Sequence, residues 1–330
     1  MAAVPRHIKT ALSLTRAETK KVISIALDMK SNPDAFRDAL QHRTILSLFE
    51  KPSLRTRVSL ETGMTQMGGH AIAYMIENSP LGKKESAEDT GAVVSRMVDG
   101  VTARVNCRTQ VDALAANATI PIINALDDWA HPMQMLADLQ TISEITMCGG
   151  DFEGISLAFV GDIQNNVTYD LMRLGCLMGM DVRVAGPDHA DFLPDPAVIE
   201  QCDHISGLGG GTAKVCETAE EAADDAFFVY ADSWLSYGIP EDQKQHRIDL
   251  LMPYQVTSKL MEQASPEAKF MNCLPAIRGE EQTAEVMDGP QSIVFQQAEN
   301  RLHAQKALLQ QLLTFEISGD EPKVDETLIR

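Results

Sequence analysis

Residues 155–185 read ISLAFVGDIQNNVTYDLMRLGCLMGMDVRVA, and this stretch decides the fold. Ile155–Val160 (ISLAFV) reads as a buried strand, Asn166–Gly179 has the apolar spacing of a helix, and Val182–Ala185 is the next short strand. Strand, helix and strand in that order make one βαβ unit, because parallel neighbours need a crossover of about a helix in length. Such a unit could hold a dinucleotide, but GDIQNN lacks the second and third glycines that a pyrophosphate needs. A nicotinamide dehydrogenase is therefore set aside.

Working outward, Phe227–Tyr230 and Lys269–Cys273 read as two more short strands, each ending in residues able to carry chemistry: Asp232 after the first, Cys273-Leu274-Pro275 after the second. Ligands of open α/β sheets sit at the carboxyl ends of strands, so the placement is informative. Towards the N-terminus, apolar runs at 43–49, 71–75 and 100–105 alternate with helical patterns such as 86–99, which predicts a second parallel layer. The stretch 119–126 reads as a strand, and a helix follows from His131 to about Met147 with Pro132 in its first turn. CGGDFEG at 148–154 is turn-rich. The spacing predicts domains at 1–148 and 149–297, and a final long helix over 298–313. GLGGG at 207–211 resembles a phosphate cradle, but a bare glycine run between short elements reads as a turn.

Composition narrows the function. The 330-residue chain suits two domains of about 150 residues. Its net charge of −19 repels nucleic acid and anionic membrane surfaces, so neither is an expected partner. No apolar run reaches the roughly 18 to 20 residues of a membrane span. Six cysteines lie scattered without metal-ligand spacing, which argues for reduced thiols, a cytoplasmic setting and no structural zinc.

Against that acidic background SLRTR at 53–57 stands out. Thr44–Phe49 feeds a Pro-Ser turn, and Arg55–Met67 has helical spacing, so Ser53 sits near an N-cap where backbone N–H groups and cationic side chains could hold a phosphate. A plain cap followed by a solvated turn is the bland alternative. His131 and Gln134, three apart near a helix start, can address one small polar group, and Arg104 is an isolated cation at a strand end.

SLRTR at 53–57, HPMQMLADLQT at 131–141, GDIQNNV at 161–167, DSWLSYG at 232–238, NCLPAIRGEE at 272–281 and AENRLHAQKAL at 298–308 occur in the order and spacing of the carbamoyltransferases. Within that group the chain resembles the ornithine carbamoyltransferases over nearly its whole length. The resemblance implies two Rossmann-like α/β domains with central parallel sheets, linked by interdomain helices, the C-terminal helix (about 298–318) packing back on the first domain. It also implies a homotrimer with active sites near subunit boundaries, domain closure during the reaction, and no cofactor or metal.

The first domain would bind carbamoyl phosphate through Ser53, Leu54, Arg55 and Thr56, with Arg104, His131, Gln134 and Arg301 at the carbamoyl end. Cys273 and Leu274 would line the point where the substrates join. L-Ornithine would meet Asn166, Asp232, Ser236 and Tyr237. Arg104, His131, Cys273 and Arg301 are the implied catalytic residues, although His131 is not assigned as a general base, since phosphate itself can accept the amine proton. Cys273 has a second reading as a buried, inert thiol.

Four positions depart from the family pattern. Leu54 stands where many members have threonine, Asn272 where histidine precedes Cys-Leu-Pro, and Tyr237 where methionine is usual. Pro80 lies in a loop that in relatives reaches a neighbouring subunit. Acyl-ornithine relatives carry a proline-rich insertion that knots the chain. Here GEEQTAEVMDGPQS follows directly, so the fold is expected to be unknotted. Another amine such as putrescine, or a catalytically silent member, are the competing readings.

Overall fold

The computed structural model describes residues 4–76, 85–235 and 239–322. The described residues divide into two compact units, one holding those up to 150 together with 299–322, the other those from 151 to 298.

In the first unit β1 (Thr44–Phe49), β2 (His70–Met75), β3 (Gly100–Arg104) and β4 (Ile122–Leu126) form a parallel sheet in the order β2-β1-β3-β4. β1 is flanked on both sides, Leu46 pairing with Ile72 and with Val101. β2 lies at the edge, and its residues alternate between exposed and half-buried, as an edge strand covered on one face should. The helices are α1 (Arg16–Ser31), α2 (Leu54–Gln66), α3 (Ala87–Val94), α4 (Arg108–Ala116) and α5 (Pro132–Thr146). α1 starts at a capping box in which Thr15 and Glu18 satisfy each other's backbone N–H groups. α5 is buried from Pro132 to Ser143.

The second unit contains β5 (Ser156–Val160), α6 (Asn166–Met178) and β6 (Asp181–Ala185), the expected βαβ unit, with Ser156 to Val160 in parallel register against Asp181 to Ala185. α7 (Pro196–Gly207), β7 (Thr212–Cys216), α8 (Ala219–Ala223), β8 (Phe228–Ala231), α9 (Glu241–Leu251), α10 (Ser258–Met261), β9 (Lys269–Asn272) and α11 (Ala284–Met287) follow. The parallel sheet runs β7-β6-β5-β8-β9. GLGGG is indeed a turn. Gly209 sits at φ +92°, and a Cβ on Gly211 would fall 2.1 Å from the Met180 carbonyl, so the glycines serve close backbone packing.

α12 (Val294–Leu313) begins four residues before the predicted start, because Gln297 is drawn into the second unit's core, where it accepts from the Asn272 N–H and donates to the Tyr230 hydroxyl. From Glu299 onward it packs within the first unit: Asn300 bonds Thr141 and Glu144 of α5, and Lys306 reaches Gln66 of α2. The helix approach is close at Gly63, where a Cβ would meet the Lys306 side chain at 3.0 Å.

Candidate active site

Strand order reverses in the first sheet between β1 and β3, and in the second between β5 and β8. At such switch points the loops after adjacent strands splay apart and leave a crevice. Ser53 to Thr56 and Arg104 lie at the ends of β1 and β3, Asn166 and Asp232 follow β5 and β8, His131 and Gln134 follow β4, Cys273 and Leu274 follow β9, and Arg301 lies within α12.

In the first unit, the loop after β1 leads into α2 with Ser53 as N-cap. Ser53 is extended and makes no side-chain cap bond, so α2 begins without the hydroxyl that usually satisfies its first N–H groups. Leu54 is 77% exposed, which leaves its backbone rather than its side chain to act at the helix end. Thr56 is buried, and its hydroxyl accepts from Arg301 Nη2 at 3.1 Å. Arg301 Nη1 donates to Gln134 Oε1 at 2.8 Å, and Gln134 Nε2 donates to Asp138 at 2.8 Å. Gln134 therefore spends one lone pair and one N–H on its neighbours and keeps one of each, less than the open carboxamide read from sequence.

His131 is the N-cap residue of α5 and is 97% buried. Burial lowers its pKa well below the ordinary imidazole value, and the positive charges of Arg301, Arg104 and Arg55 lower it further. The imidazole is thus neutral at physiological pH. The same couplings show that three arginines from the end of β3, the start of α2 and the middle of α12 converge on one histidine. Arg104 ends β3 where the ladder to β4 shifts register, a local irregularity that re-aims a strand end.

Gln305 and Ser59 were not legible as site residues. With its carboxamide oxygen facing the guanidinium, Gln305 accepts from Arg301 Nη2 at 2.8 Å and Nε at 3.0 Å, while its nitrogen donates to Ser59 Oγ at 2.8 Å. Gln305 lies one helical turn beyond Arg301, so the i,i+4 spacing was the available signal.

In the second unit, the Cys273 thiol donates to Asp232 Oδ1 at 3.1 Å, which joins the ends of β8 and β9. The thiol is half-buried and bonded rather than an isolated core group. Leu274 follows at φ +60°, a left-handed conformation unusual for a branched side chain, and its N–H is held by Asn272 Oδ1 at 2.8 Å. Asn272 is fully buried and also donates to Gln282 at 3.1 Å, so its amide serves the turn. Asn166 opens α6 at the end of β5. Ser236, Tyr237 and Pro80 lie outside the described residues.

Two buried acids flank Asp232. Asp162 pairs with Arg247 at 2.6 Å, yet burial still pushes its pKa up to about 6. Glu281 has no exposed surface, and burial raises it to about 7 despite the Ile277 N–H that it accepts. A carboxyl raised in the folded state favours folding below its unfolded pKa and loses that contribution as pH rises through the folded value. Relative to Glu281→Gln, the wild type is therefore expected to lose about 3 kcal/mol of stability between roughly pH 4.5 and 7.5, at about 1.4 kcal/mol per pH unit. Urea midpoints of both proteins across that range check this, and a pH-independent difference would refute it.

Two family models match the chain: the carbamoyl-P binding domain of aspartate/ornithine carbamoyltransferase over residues 6–144, and the Asp/Orn binding domain of the same family over residues 153–312. The chain is 43% identical over 317 residues to the ornithine carbamoyltransferase of Parafrankia sp. (strain EAN1pec), covering 95% of this chain and 98% of that one. Among solved structures it is similar to ornithine transcarbamoylase from Giardia lamblia, with a TM-score of 0.86 and 44% identity over 94% of this chain and 98% of that one. It is also similar to ornithine carbamoyltransferase from Pyrococcus furiosus, with a TM-score of 0.88 and 38% identity over 96% and 100% of the two chains.

Proposed function

Because the chain belongs to the aspartate/ornithine carbamoyltransferase family, we propose that it transfers the carbamoyl group of carbamoyl phosphate to the side-chain amine of L-ornithine, giving L-citrulline and phosphate. The observation that carries this reading is the gathering of Arg55, Arg104 and Arg301 on a neutral His131 beside the N-terminus of α2, inside a protein of net charge −19. Such a local cationic pocket suits a small dianion that the rest of the surface repels.

The uncharged amine attacks the carbamoyl carbon, a tetrahedral intermediate forms, and the bond to the phosphate oxygen breaks. Negative charge grows on the carbonyl oxygen and then on the departing oxygen. Donors fixed in advance at those positions stabilise the transition state more than the ground state. In our assignment Ser53, Arg55, Thr56 and the backbone N–H of Leu54 hold the phosphate. Arg104, His131, Gln134 and Arg301 address the carbamoyl group. The neutral imidazole donates a ring N–H to the carbonyl oxygen, and with its basicity so reduced it is a poor general base, which leaves the amine proton to phosphate.

Asp232 pairs with the amino-acid ammonium and Cys273 orients it, with Asn166, Ser236 and Tyr237 completing the second substrate's contacts and Leu274 lining the reacting end. The enzyme is further proposed to work as a cytoplasmic homotrimer in arginine biosynthesis. Six free cysteines support the reducing compartment, and the family resemblance supports the assembly.

Incubation with carbamoyl phosphate and either L-ornithine or putrescine tests the reading. Citrulline is expected with a clear preference for ornithine. No product from either amine would overturn the reaction, and a preference for putrescine would overturn the substrate.

A further inference from the structure

Trp234 lies two residues beyond Asp232, and its side chain is fully buried with Phe192 and Leu251. Across from it a Cβ on Gly161 would fall 2.9 Å from the indole nitrogen, so the ring is seated against bare backbone at the end of β5. The main chain of Trp234 is held from two directions. Its N–H points at Glu281 Oε1, 3.4 Å away, and its carbonyl accepts from Arg247 Nε at 3.4 Å. Arg247 is in turn fixed by Asp162 at 2.6 Å and stacks over the Phe192 ring at 4.5 Å.

Glu281 reaches the other loop as well. Its second oxygen accepts from the Ile277 N–H at 2.9 Å, in the segment that follows Cys273. The neighbouring Gln282 donates to the Ile277 carbonyl at 3.1 Å and accepts from Asn272 at 3.1 Å. One carboxylate therefore spans the loop after β8 and the loop after β9, the two loops whose first residues, Asp232 and Cys273, are bonded to each other.

We propose that Glu281 is a positioning residue for the second substrate: by tying the backbone at Trp234 to the backbone at Ile277, its carboxylate sets Asp232 against Cys273 in the geometry that receives the amino acid. Three features support this. The carboxylate accepts two backbone N–H groups, which an amide of the same shape cannot do, since one end of glutamine is itself a donor. Burying the charged form costs stability, as its raised pKa shows, so packing alone does not account for an acid here. Finally, Trp234 and Ile277 both belong to the second unit, so the effect falls first on the amino-acid side of the site.

The inference rests on the reaction proposed above, and steady-state kinetics with each substrate varied in turn tests it. Glu281→Ala is expected to raise KM for L-ornithine about tenfold, and Glu281→Gln, which keeps one acceptor, about threefold. KM for carbamoyl phosphate should stay within about twofold in both. An unchanged ornithine KM, or equal weakening of both substrates, would overturn the role of Glu281. Should Glu281→Ala fail to fold, Glu281→Gln carries the same comparison, with calorimetric binding of carbamoyl phosphate as evidence that the first unit is intact. Absence of turnover in the wild type would overturn the reaction itself, which is distinguishable from normal turnover without the KM split.

Discussion

Arg301→Ala is expected to lower kcat by about 10³-fold, the scale set by removing one preorganised donor from a site where oxyanion charge develops. The guanidinium is nearly fully buried and donates to Gln134 Oε1 and to the Thr56 hydroxyl, so its loss also removes a donor from each of those two oxygens in a desolvated site. It removes the foremost of the three cations that depress His131, whose pKa should consequently rise. Arg301→Lys keeps the charge but cannot present two parallel N–H groups, and it should recover little of the lost rate. A kcat within tenfold of wild type in a variant with a native circular dichroism spectrum would refute the assignment, as would an unchanged His131 titration by NMR.

Arg55→Ala is expected to weaken carbamoyl phosphate binding about 100-fold, because it leaves phosphate charge without its partner in a partly desolvated site. Leu54→Thr is the control. The leucine side chain is 77% exposed and its backbone is what lies at the start of α2, so the added hydroxyl should change affinity by no more than about threefold. Calorimetry with carbamoyl phosphate alone reads both variants. Wild-type affinity for Arg55→Ala would remove this residue from the site, and a large gain for Leu54→Thr would show that the leucine weakens the natural pocket.

The elements that sequence reading resolved share one property: their pattern is local. The runs at Ile155–Val160 and Val182–Ala185 are mainly apolar, broken only by Ser156 and Arg183, because parallel strands paired on both sides bury most of their side chains, and α5 is buried over most of its length. α9 escaped notice for the converse reason, whereas α4 and α7 bury Val111 and Leu114, and Val198, Cys202 and Ile205, at a helical spacing that was readable. α9, EDQKQHRIDLL, buries only Leu251, so it has no apolar stripe to detect, although Glu241 and Asp242 do mark its first turn. α7 has its signal in Asp195-Pro196, where Asp195 caps the Ala197 N–H at 2.8 Å.

The cluster at 53–57 was legible as a candidate anion site because Ser, Arg and Thr at a strand-to-helix junction have a direct electrostatic meaning, and the motifs in the sequence tied that cluster to a family. Gln305 and Glu281 were not, since a glutamine within a long helix and a glutamate in a polar loop look like ordinary surface residues until their burial is known.

What the amino-acid order determined by itself is the class of layer, the strand ends where chemistry can sit, and the chemical kinds of residue waiting there, because backbone propensity, burial period and charge are all encoded within a few neighbours. What only the tertiary structure decided is which of them meet. Arg301 reaches Gln134 across 167 residues and Thr56 across 245. The neutrality of His131 comes first from burial and then from cations on three separate elements, and Glu281 can join two loops only because β8 and β9 are neighbours. Strand order and the docking of α12 set those meetings. They follow from the free energy of burying all the apolar faces at once, a property of the whole chain that no local stretch contains.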